Sequence, residues 1–403
     1  MTDRSTQLSD AEAGVLSHIN ADTVALLTTL LVEAPSENPG GTEGAAVAVL
    51  AQACERVGLT IETHEVASDR PNLVATLAAG SGPGLMFLGH SDVVPAGPNW
   101  SADPYRPRVV DGRIYGRGTT DMKGGLAAIV VAMQALSHAA AYGVELGGPV
   151  RMVCTVDEEE HGTGVRDFVT RPSDDEFLGC VVAEPTDLQV VRGCRGASYL
   201  EIDITGRAAH SGRPSDGRSA INAAASIIDM IRFDHEQLAM SPDDLLGSGT
   251  WNVGTIEGGQ GISVVAPMCS LGVDRRLMPD EEAEIIAEQL RAAISKADID
   301  SDGIEVDVRV TMEMPGFATD ADHRLVTTAV DAVTAAGAST SVGGWTAACD
   351  GGFVSRDLDI PAIVLGPGNI NAEAHQPDES VAIDDLVTAA KTYALMALRL
   401  LGS

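Results

Sequence analysis

The chain has 403 residues, of which 44% are hydrophobic and 21% charged, a composition typical of a globular protein long enough for two domains. Acidic residues dominate its charge: 58 Asp and Glu oppose 26 Lys and Arg, for a formal net charge of -32. A surface of this sign repels phosphate backbones and anionic lipids, so nucleic acid and membrane are both excluded as expected partners.

Six cysteines are spread along the chain without any C-x-x-C pair, and several lie in apolar runs. This distribution is typical of buried, reduced thiols in a cytosolic protein. The N-terminal segment is acidic and lacks a basic n-region, and the apolar stretch 24–32 is too short to cross a bilayer. We therefore expect a cytoplasmic protein.

The first half of the chain alternates apolar strands with helical patterns. Residues 84–89, 150–156 and 181–183 are predicted strands, and 124–137 is a predicted buried helix. Strands that alternate with helices indicate an α/β fold with a wrapped, mainly parallel sheet. The active site of such a sheet is expected at the carboxyl ends of its strands.

From about Arg195 the order becomes strand, helix, strand, strand, helix, strand, which is that of a ferredoxin-like (βαββαβ) unit. The predicted strands and helices of this unit are 199–205, 219–232, 250–256, 270–276, 281–296 and 304–311. Residues 363–366 again form an apolar run typical of a buried strand, like those of the first half, so the unit is an insertion. We predict a catalytic domain formed by 1–194 and 313–403 and an inserted domain formed by 195–312.

Five candidates for chemistry stand out: His90, Asp121, the acidic run 158–160, Glu184 and His375. Four of the five lie just after an apolar strand or at the start of a helix, and His375 lies in a polar loop. Taken singly, each of them could have a structural role instead of binding metal. Asp121 could cap the following helix, and the three glutamates could form a solvated turn. Together they would converge on one rim of the sheet. Two imidazoles and several carboxylates suit zinc, cobalt or manganese, and a spare carboxylate beside the metals could accept a proton from water.

The motifs around these residues resemble the co-catalytic zinc aminoacylase and carboxypeptidase family, which includes acetylornithine deacetylase, succinyl-diaminopimelate desuccinylase and carboxypeptidase G. The matching segments follow the family's order over nearly the whole chain: G-H-S-D-V-V-P at 89–95, Y-G-R-G-T-T-D-M-K-G-G at 115–125, D-E-E at 157–159, A-E-P-T at 183–186, A-A-H-S-G-R-P at 208–214, D-R-R-L-M-P at 274–279 and A-H-Q-P-D-E at 374–379. The resemblance implies a dinuclear metallohydrolase acting on linear amides or peptide bonds, with an inserted lid that also forms a dimer interface.

The resemblance implies five metal ligands in this chain. Asp121 would bridge two divalent metal ions, most readily zinc, with cobalt or manganese as alternatives. Glu159 and His375 would complete one metal site, and His90 and Glu184 would complete the other.

The resemblance implies two further features near these ligands. Asp92, two residues after His90, would orient that imidazole from the side of the ring that faces away from the metal. The Asp121–Met122 peptide bond would be cis.

The acidic run allows two assignments of base and ligand. Family members commonly read D-E-E, four residues, then G-x-R, and here D-E-E is followed by E-H-G-T and then G-V-R. This spacing favours Glu158 as the general base and Glu159 as the ligand. The alternative is Glu159 as base and Glu160 as ligand. His161 falls in the variable stretch and is expected to be a surface residue or a neighbour of the ligands.

The inserted domain carries three positions that the resemblance associates with substrate. His210 matches a lid histidine that reaches the neighbouring subunit's active site and stabilises the oxyanion, although a turn histidine near Pro214 is the alternative. Arg276 matches an arginine associated with the substrate carboxylate, with a structural salt bridge as the alternative. Ser263 stands where many relatives have Asn, so a substrate contact is expected to differ there. Outside this domain, Gly351 is expected to shape the substrate pocket.

The segment G-P-G-N-I-N-A-E-A-H-Q-P-D-E is especially similar to acetylornithine deacetylases. We therefore expect a homodimeric deacylase acting on a small N-acyl-L-amino acid. A dipeptidase or carboxypeptidase, acting on a dipeptide or peptide, is the second prediction, and a succinyl-diaminopimelate desuccinylase is the third. A non-catalytic, metal-stabilised scaffold would have lost a ligand or the base, whereas this chain keeps all five ligands and Glu158.

Overall fold

The computed structural model describes residues 7–173 and 175–402. The chain divides into two compact units: unit 1 consists of Met1–Gly193, Ala318–Gly344 and Phe353–Ser403, and unit 2 consists of Cys194–Phe317 and Trp345–Gly352. The sequence prediction had placed the segment Trp345–Gly352 in the catalytic domain. It belongs to unit 2 because the N–H of Arg195 donates to the carbonyl of Trp345 at 3.0 Å and Gly352 lies directly against the carbonyl of Pro315.

The helices and strands follow one another along both units. The helices are α1 (Asp10–Leu16), α2 (Ala21–Val32), α3 (Gly44–Arg56), α4 (Lys123–Leu136), α5 (Thr163–Thr170), α6 (Ala220–Leu238), α7 (Ala283–Lys296), α8 (Arg324–Ala335), α9 (Gly351–Leu358) and α10 (Ile383–Leu401). The strands are β1 (Thr60–Ala67), β2 (Arg70–Leu77), β3 (Gly84–His90), β4 (Arg108–Val110), β5 (Arg113–Tyr115), β6 (Val150–Thr155), β7 (Phe177–Val182), β8 (Val190–Cys194), β9 (Gly196–Thr205), β10 (Thr250–Gly258), β11 (Met268–Leu277), β12 (Glu305–Met314), β13 (Phe317–Ala318), β14 (Val342–Trp345), β15 (Ala362–Val364) and β16 (Ser380–Ala382).

The large sheet has the strand order β1-β2-β6-β3-β7-β15-β8-β13, and β14 also pairs with β8. Its central strands β6, β3, β7 and β15 run parallel to one another, whereas β1 and β2 add antiparallel pairings at one side. Every residue of β3 is buried, as expected for a parallel strand covered on both faces. The predicted mainly parallel α/β sheet is confirmed.

Helix α4 is apolar on all sides and is buried along nearly its whole length. Gly125, near its start, allows it to approach the end of β7 closely. A Cβ atom at Gly125 would lie only 2.4 Å from the carbonyl oxygen of Ala183, so the helix could not sit there with a side chain. This packing brings Asp121, just before α4, near Glu184, just after β7.

Unit 2 contains the antiparallel sheet β10-β11-β9-β12 with helices α6 and α7. Along Leu200–Thr205, strand β9 alternates buried residues with exposed or half-buried ones, so one face of the sheet packs into the core. Alternate residues of β9 and β11 form this core together with the apolar faces of both helices. The order and pairing of these elements confirm the predicted ferredoxin-like unit.

All six cysteines are buried free thiols. Burial raises the pKa of Cys54 and Cys154 to about 12, so both thiols stay protonated near neutral pH.

Within 7–173 and 175–402, no single helix is long and apolar enough to cross a membrane. Helices α1 and α2 meet the length and composition criteria only as a pair that is bent by 44°.

Candidate metal centre

The five predicted metal ligands all lie in unit 1, around the carboxyl ends of its parallel strands. His90 is the last residue of β3, Glu159 follows β6, and Glu184 follows β7. His375 lies in the loop after β15, and Asp121 lies two residues before the start of α4. The parallel arrangement therefore gathers residues that are up to 285 positions apart.

Two groups of possible ligand atoms share Asp121. His90 Nε2 lies 3.2 Å from Asp121 Oδ1 and 3.2 Å from Glu184 Oε1. His375 Nε2 lies 3.2 Å from Asp121 Oδ2 and 3.3 Å from Glu159 Oε1. Within each group the ligand atoms lie within 4.8 Å of one another. The two oxygens of one carboxylate thus face two separate His–Glu pairs, as a bridged pair of cations requires.

The carboxylates of this cluster strongly affect each other's ionisation. Burial and the negative charge of Asp121 raise the pKa of Glu184 to about 8, and the same two causes raise the pKa of Glu159. Burial also opposes ionisation of Asp121, but hydrogen bonds with His375 and His90 outweigh it and hold the pKa of Asp121 below its ordinary value. Three buried carboxylates this close need positive charge beside them, so the donor set fits a pair of divalent cations.

The two histidines differ in exposure but have similar surroundings. Burial alone would lower the pKa of His90, but the charge of Glu184 and the hydrogen bond with Asp121 raise it well above its ordinary value. Hydrogen bonds with Asp121 and Glu159 raise the pKa of His375, which is half exposed, to about 10. Each imidazole is therefore held between two carboxylates. The Asp121–Met122 peptide bond is cis, as predicted.

Asp92 lies behind His90 and is fully buried. Its backbone oxygen is 2.9 Å from His90 Nδ1, closer than its carboxylate Oδ1, at 3.4 Å. The two carboxylate oxygens accept hydrogen bonds from the backbone N–H groups of Glu158 and Glu159, at 3.2 and 3.1 Å. Asp92 thus contacts the imidazole and also fixes the backbone that carries both glutamates.

The side chains of the acidic run point to different places. Glu158 Oε2 lies 4.0 Å from His90 Nε2, and Glu159 joins Asp121 and His375. In the described parts of the chain, Glu160 belongs to neither group of possible ligands, and His161 is exposed. These positions favour Glu159 over Glu160 as the ligand.

The sequence reasoning missed Asn38, which is buried beneath the cluster. Its Nδ2 donates to Asp92 Oδ2 and to Asp157 Oδ1, both at 2.9 Å. Arg70 lies 3.1 Å from Asp157 Oδ1 and also pairs with the buried Glu43. An Asn-Pro pair within E-N-P-G-G indicates only a turn, so the local pattern contains no sign of these distant partners.

Replacing Asn38 with Ala is expected to loosen the backbone of the acidic run. The substitution leaves Asp92 and Asp157 each short of a donor, which costs about 1–3 kcal/mol for a buried group. Hydrogen exchange at the amides of Glu158 and Glu159 should then accelerate roughly 5–150-fold. The exposed Asn371→Ala is the control, and unchanged exchange in Asn38→Ala would contradict the role given to Asn38.

The residues predicted to contact substrate lie in unit 2 and stay predictions in that role. His210 is exposed, and its Nδ1 accepts a hydrogen bond from Gly212 N at 3.0 Å. Arg276 forms an ion pair with Asp274 at 3.0 Å, which is the structural alternative considered for it. Two others have local backbone roles: Ser263 is exposed with its carbonyl bonded to Ser211 N, and the buried Gly351 begins α9.

Known proteins with similar sequences belong to a metallopeptidase family or are deacetylases. Residues 86–399 match the sequence model of peptidase family M20/M25/M40. Acetylornithine deacetylase of Myxococcus xanthus is 33% identical over 350 residues, which cover 83% of this chain and 86% of that protein. Acetylornithine deacetylase of Aliivibrio fischeri strain MJ11 is 31% identical over 338 residues, which cover 83% of this chain and 85% of that protein.

Solved structures share the fold at lower sequence identity. Aminopeptidase PepT from Bacillus cereus superposes with a TM-score of 0.75 and 23% identity, over 94% of this chain and 99% of that one. The Bacillus subtilis YXEP protein, described as a dinuclear metal binding peptidase from the M20 family, has a TM-score of 0.72 and 16% identity over 94% and 98% of the two chains.

The family match spans most of the chain and includes every residue of the two ligand groups. The resemblance inferred from the motifs is therefore confirmed. This chain belongs to peptidase family M20/M25/M40 and is a metal-dependent hydrolase.

Proposed function

We propose that the chain removes the acyl group from a small N-acyl-L-amino acid. Asp121 would bind both of two divalent cations, and Glu158 would act as the general base. The arrangement of two His–Glu pairs about a single carboxylate, with Glu158 4.0 Å from His90 Nε2, carries this proposal. Zinc is the proposed metal because it accepts imidazole nitrogen and carboxylate oxygen together; cobalt and manganese are the alternatives.

We assign His90 and Glu184 to one cation, Glu159 and His375 to the other, and Asp121 to both. Cations bound there would polarise the amide carbonyl and acidify the attacking water. Glu184 and Glu159 place carboxylate charge on both sides of Asp121, which offsets the charge of the cations.

In the proposed reaction, Glu158 accepts a proton from water as the water oxygen bonds to the amide carbonyl carbon. Glu158 then gives that proton to the amide nitrogen as the C–N bond breaks. The products are a carboxylic acid and a free amino acid. The hydrogen bonds from the Glu158 and Glu159 backbone to Asp92 keep base and ligand in fixed relation during both proton transfers.

The remaining assignments rest on the family resemblance. His210 of the partner subunit would donate a hydrogen bond to the oxyanion, so the proposed active form is a homodimer. Arg276 would bind the substrate carboxylate, with Ser263 and Gly351 beside the substrate. The proposed location is the cytoplasm, where six buried free thiols stay reduced.

The deacylase is preferred to a peptidase because relatives at 31–33% identity over most of the chain are named acetylornithine deacetylases. A dipeptidase or carboxypeptidase is the second candidate, since solved structures with this fold include peptidases. Succinyl-diaminopimelate desuccinylase is the third candidate.

Release of free amine from a substrate panel tests the proposal. The panel contains N-acetyl, N-formyl and N-succinyl amino acids alongside dipeptides, with zinc, cobalt or manganese added to chelator-treated protein. We expect N-acyl amino acids to be cleaved with the highest kcat/KM, and only after metal is restored. Preferential cleavage of dipeptides would favour the peptidase, and activity without any divalent metal would contradict the proposed mechanism.

Replacing Arg276 with Lys is expected to raise KM for N-acyl amino acids roughly tenfold with little change in kcat, because a bidentate charged hydrogen bond worth about 1.5–3 kcal/mol is weakened. A substrate whose carboxylate is replaced by a carboxamide should not respond to the substitution. Arg291→Lys, at an ion pair with Glu284 elsewhere in unit 2, is the control. An equal rise in KM for the carboxylate and carboxamide substrates would show that Arg276 has a structural role and does not bind the substrate carboxylate.

A further inference from the structure

Glu379 is a buried carboxylate that the proposed reaction does not use, and only 1% of it is exposed. Its Oε1 accepts hydrogen bonds from the backbone N–H groups of Thr120, at 2.8 Å, and Asp121, at 3.0 Å. Its Oε2 accepts from Gly118 N at 3.0 Å and from Arg117 Nη1 at 2.7 Å. One side chain therefore holds the loop that leads into Asp121 by four hydrogen bonds.

The same carboxylate belongs to the segment that carries another candidate ligand. Glu379 lies four residues after His375, whose Nε2 is 3.2 Å from Asp121 Oδ2. A further hydrogen bond joins the two segments beside it, from Thr120 Oγ1 to the carbonyl of Ser380 at 2.9 Å. The Glu379 side chain thus ties the backbone of Asp121 to the loop of His375.

We propose that Glu379 is a positioning residue that holds Asp121 between the two His–Glu pairs and thereby sets the affinity for both cations. This inference rests on the proposed function in taking Asp121 as the bridging ligand. Within the described residues, the carboxylate of Glu379 is bonded to Arg117 and to backbone N–H groups rather than to either imidazole.

The geometry explains why a carboxylate is needed at this position. All four groups around it are donors, and an ionised carboxylate has acceptor capacity on both oxygens. A glutamine side chain of the same shape would keep one acceptor oxygen but would turn an N–H₂ group toward two donors. The loop would then shift, and a ligand displaced by a fraction of an ångström no longer fits both cations.

Isothermal titration calorimetry with zinc on the metal-depleted full chain tests the proposal. Glu379→Gln is expected to bind zinc about 10–100-fold more weakly than the unaltered protein, as is usual when a group supporting a metal ligand is lost. Glu379→Asp keeps the charge but withdraws the carboxylate by one methylene, so it should show a smaller loss. At saturating zinc, kcat should recover in part, because all five ligands remain.

Asp378→Asn is the matched control, since it makes the same charge change one residue away. Asp378 is bonded to Ser101, and Asn tolerates its φ of 58°. This variant should bind zinc normally. Circular dichroism checks that each variant is folded; if Glu379→Gln is not, Glu379→Asp decides the outcome.

Normal zinc affinity in the folded Glu379 variants would overturn this inference alone, even if their thermal stability were reduced. Failure of the unaltered chain to bind any divalent cation would overturn the proposed function and this inference with it.

Discussion

Replacing Glu158 with Gln is expected to lower kcat by about 10²–10⁴-fold while both cations remain bound. The amide has nearly the same shape as the carboxylate, so it leaves the backbone hydrogen bonds to Asp92 in place. It cannot accept a proton from water, and the step that generates the nucleophile loses its base. Metal content by atomic emission and kcat on an N-acyl amino acid are the two measurements.

Glu160→Gln is the control for this experiment because it makes the same charge change two residues away. It also separates the two assignments of the acidic run: if Glu160 were a ligand, this control would lose metal. We expect the control to keep both its metal and its kcat. A fully active Glu158→Gln protein would show that Glu158 is not the base.

Replacing Asp121 with Asn should weaken binding of both cations by more than about 100-fold and remove activity, since a direct ligand should matter at least as much as the groups that support one. Both oxygens of Asp121 face an imidazole, and an amide presents only one oxygen and no full charge. The fold should persist because Glu379 holds Asp121 through its backbone N–H.

Comparison with Glu184→Gln makes this test specific. Glu184 belongs to only one of the two ligand groups, so its replacement should weaken one cation and spare the other. Zinc titrations should resolve this difference in stoichiometry. Asp111→Asn, at an exposed turn with a φ of 49° that Asn tolerates, should leave both sites unchanged. Selective loss of one cation in Asp121→Asn would contradict a bridging role.

Much of the fold was predictable because its signals are local. Strand β3 is a continuous apolar run, α4 is apolar on all sides, and the second unit alternates in the order of a ferredoxin-like fold. The candidate ligands were predictable for a related reason. Four of the five stand at the ends of strands or near the start of a helix, and each lies within a short sequence motif.

The supporting residues were not predictable, because their partners lie far along the chain. Asn38 bonds to Asp92 from 54 residues away, and Glu379 bonds to Asp121 from 258 residues away. No periodic pattern in the sequence identifies the residue to which a buried Asn after a turn, or a Glu after a histidine motif, is bonded. The assignment of Trp345–Gly352 to unit 2 likewise depends on backbone contacts that side-chain patterns do not encode.

The amino-acid sequence by itself thus determined the α/β sheet, the inserted ferredoxin-like unit, the family and the identity of the candidate ligands, because strand periodicity and motif spacing are properties of neighbouring residues. Only the tertiary structure decided that the two oxygens of Asp121 face different imidazoles and that Asn38 and Glu379 hold the loops in place. Those features depend on distances of about 3 Å between segments that meet only when the chain is folded.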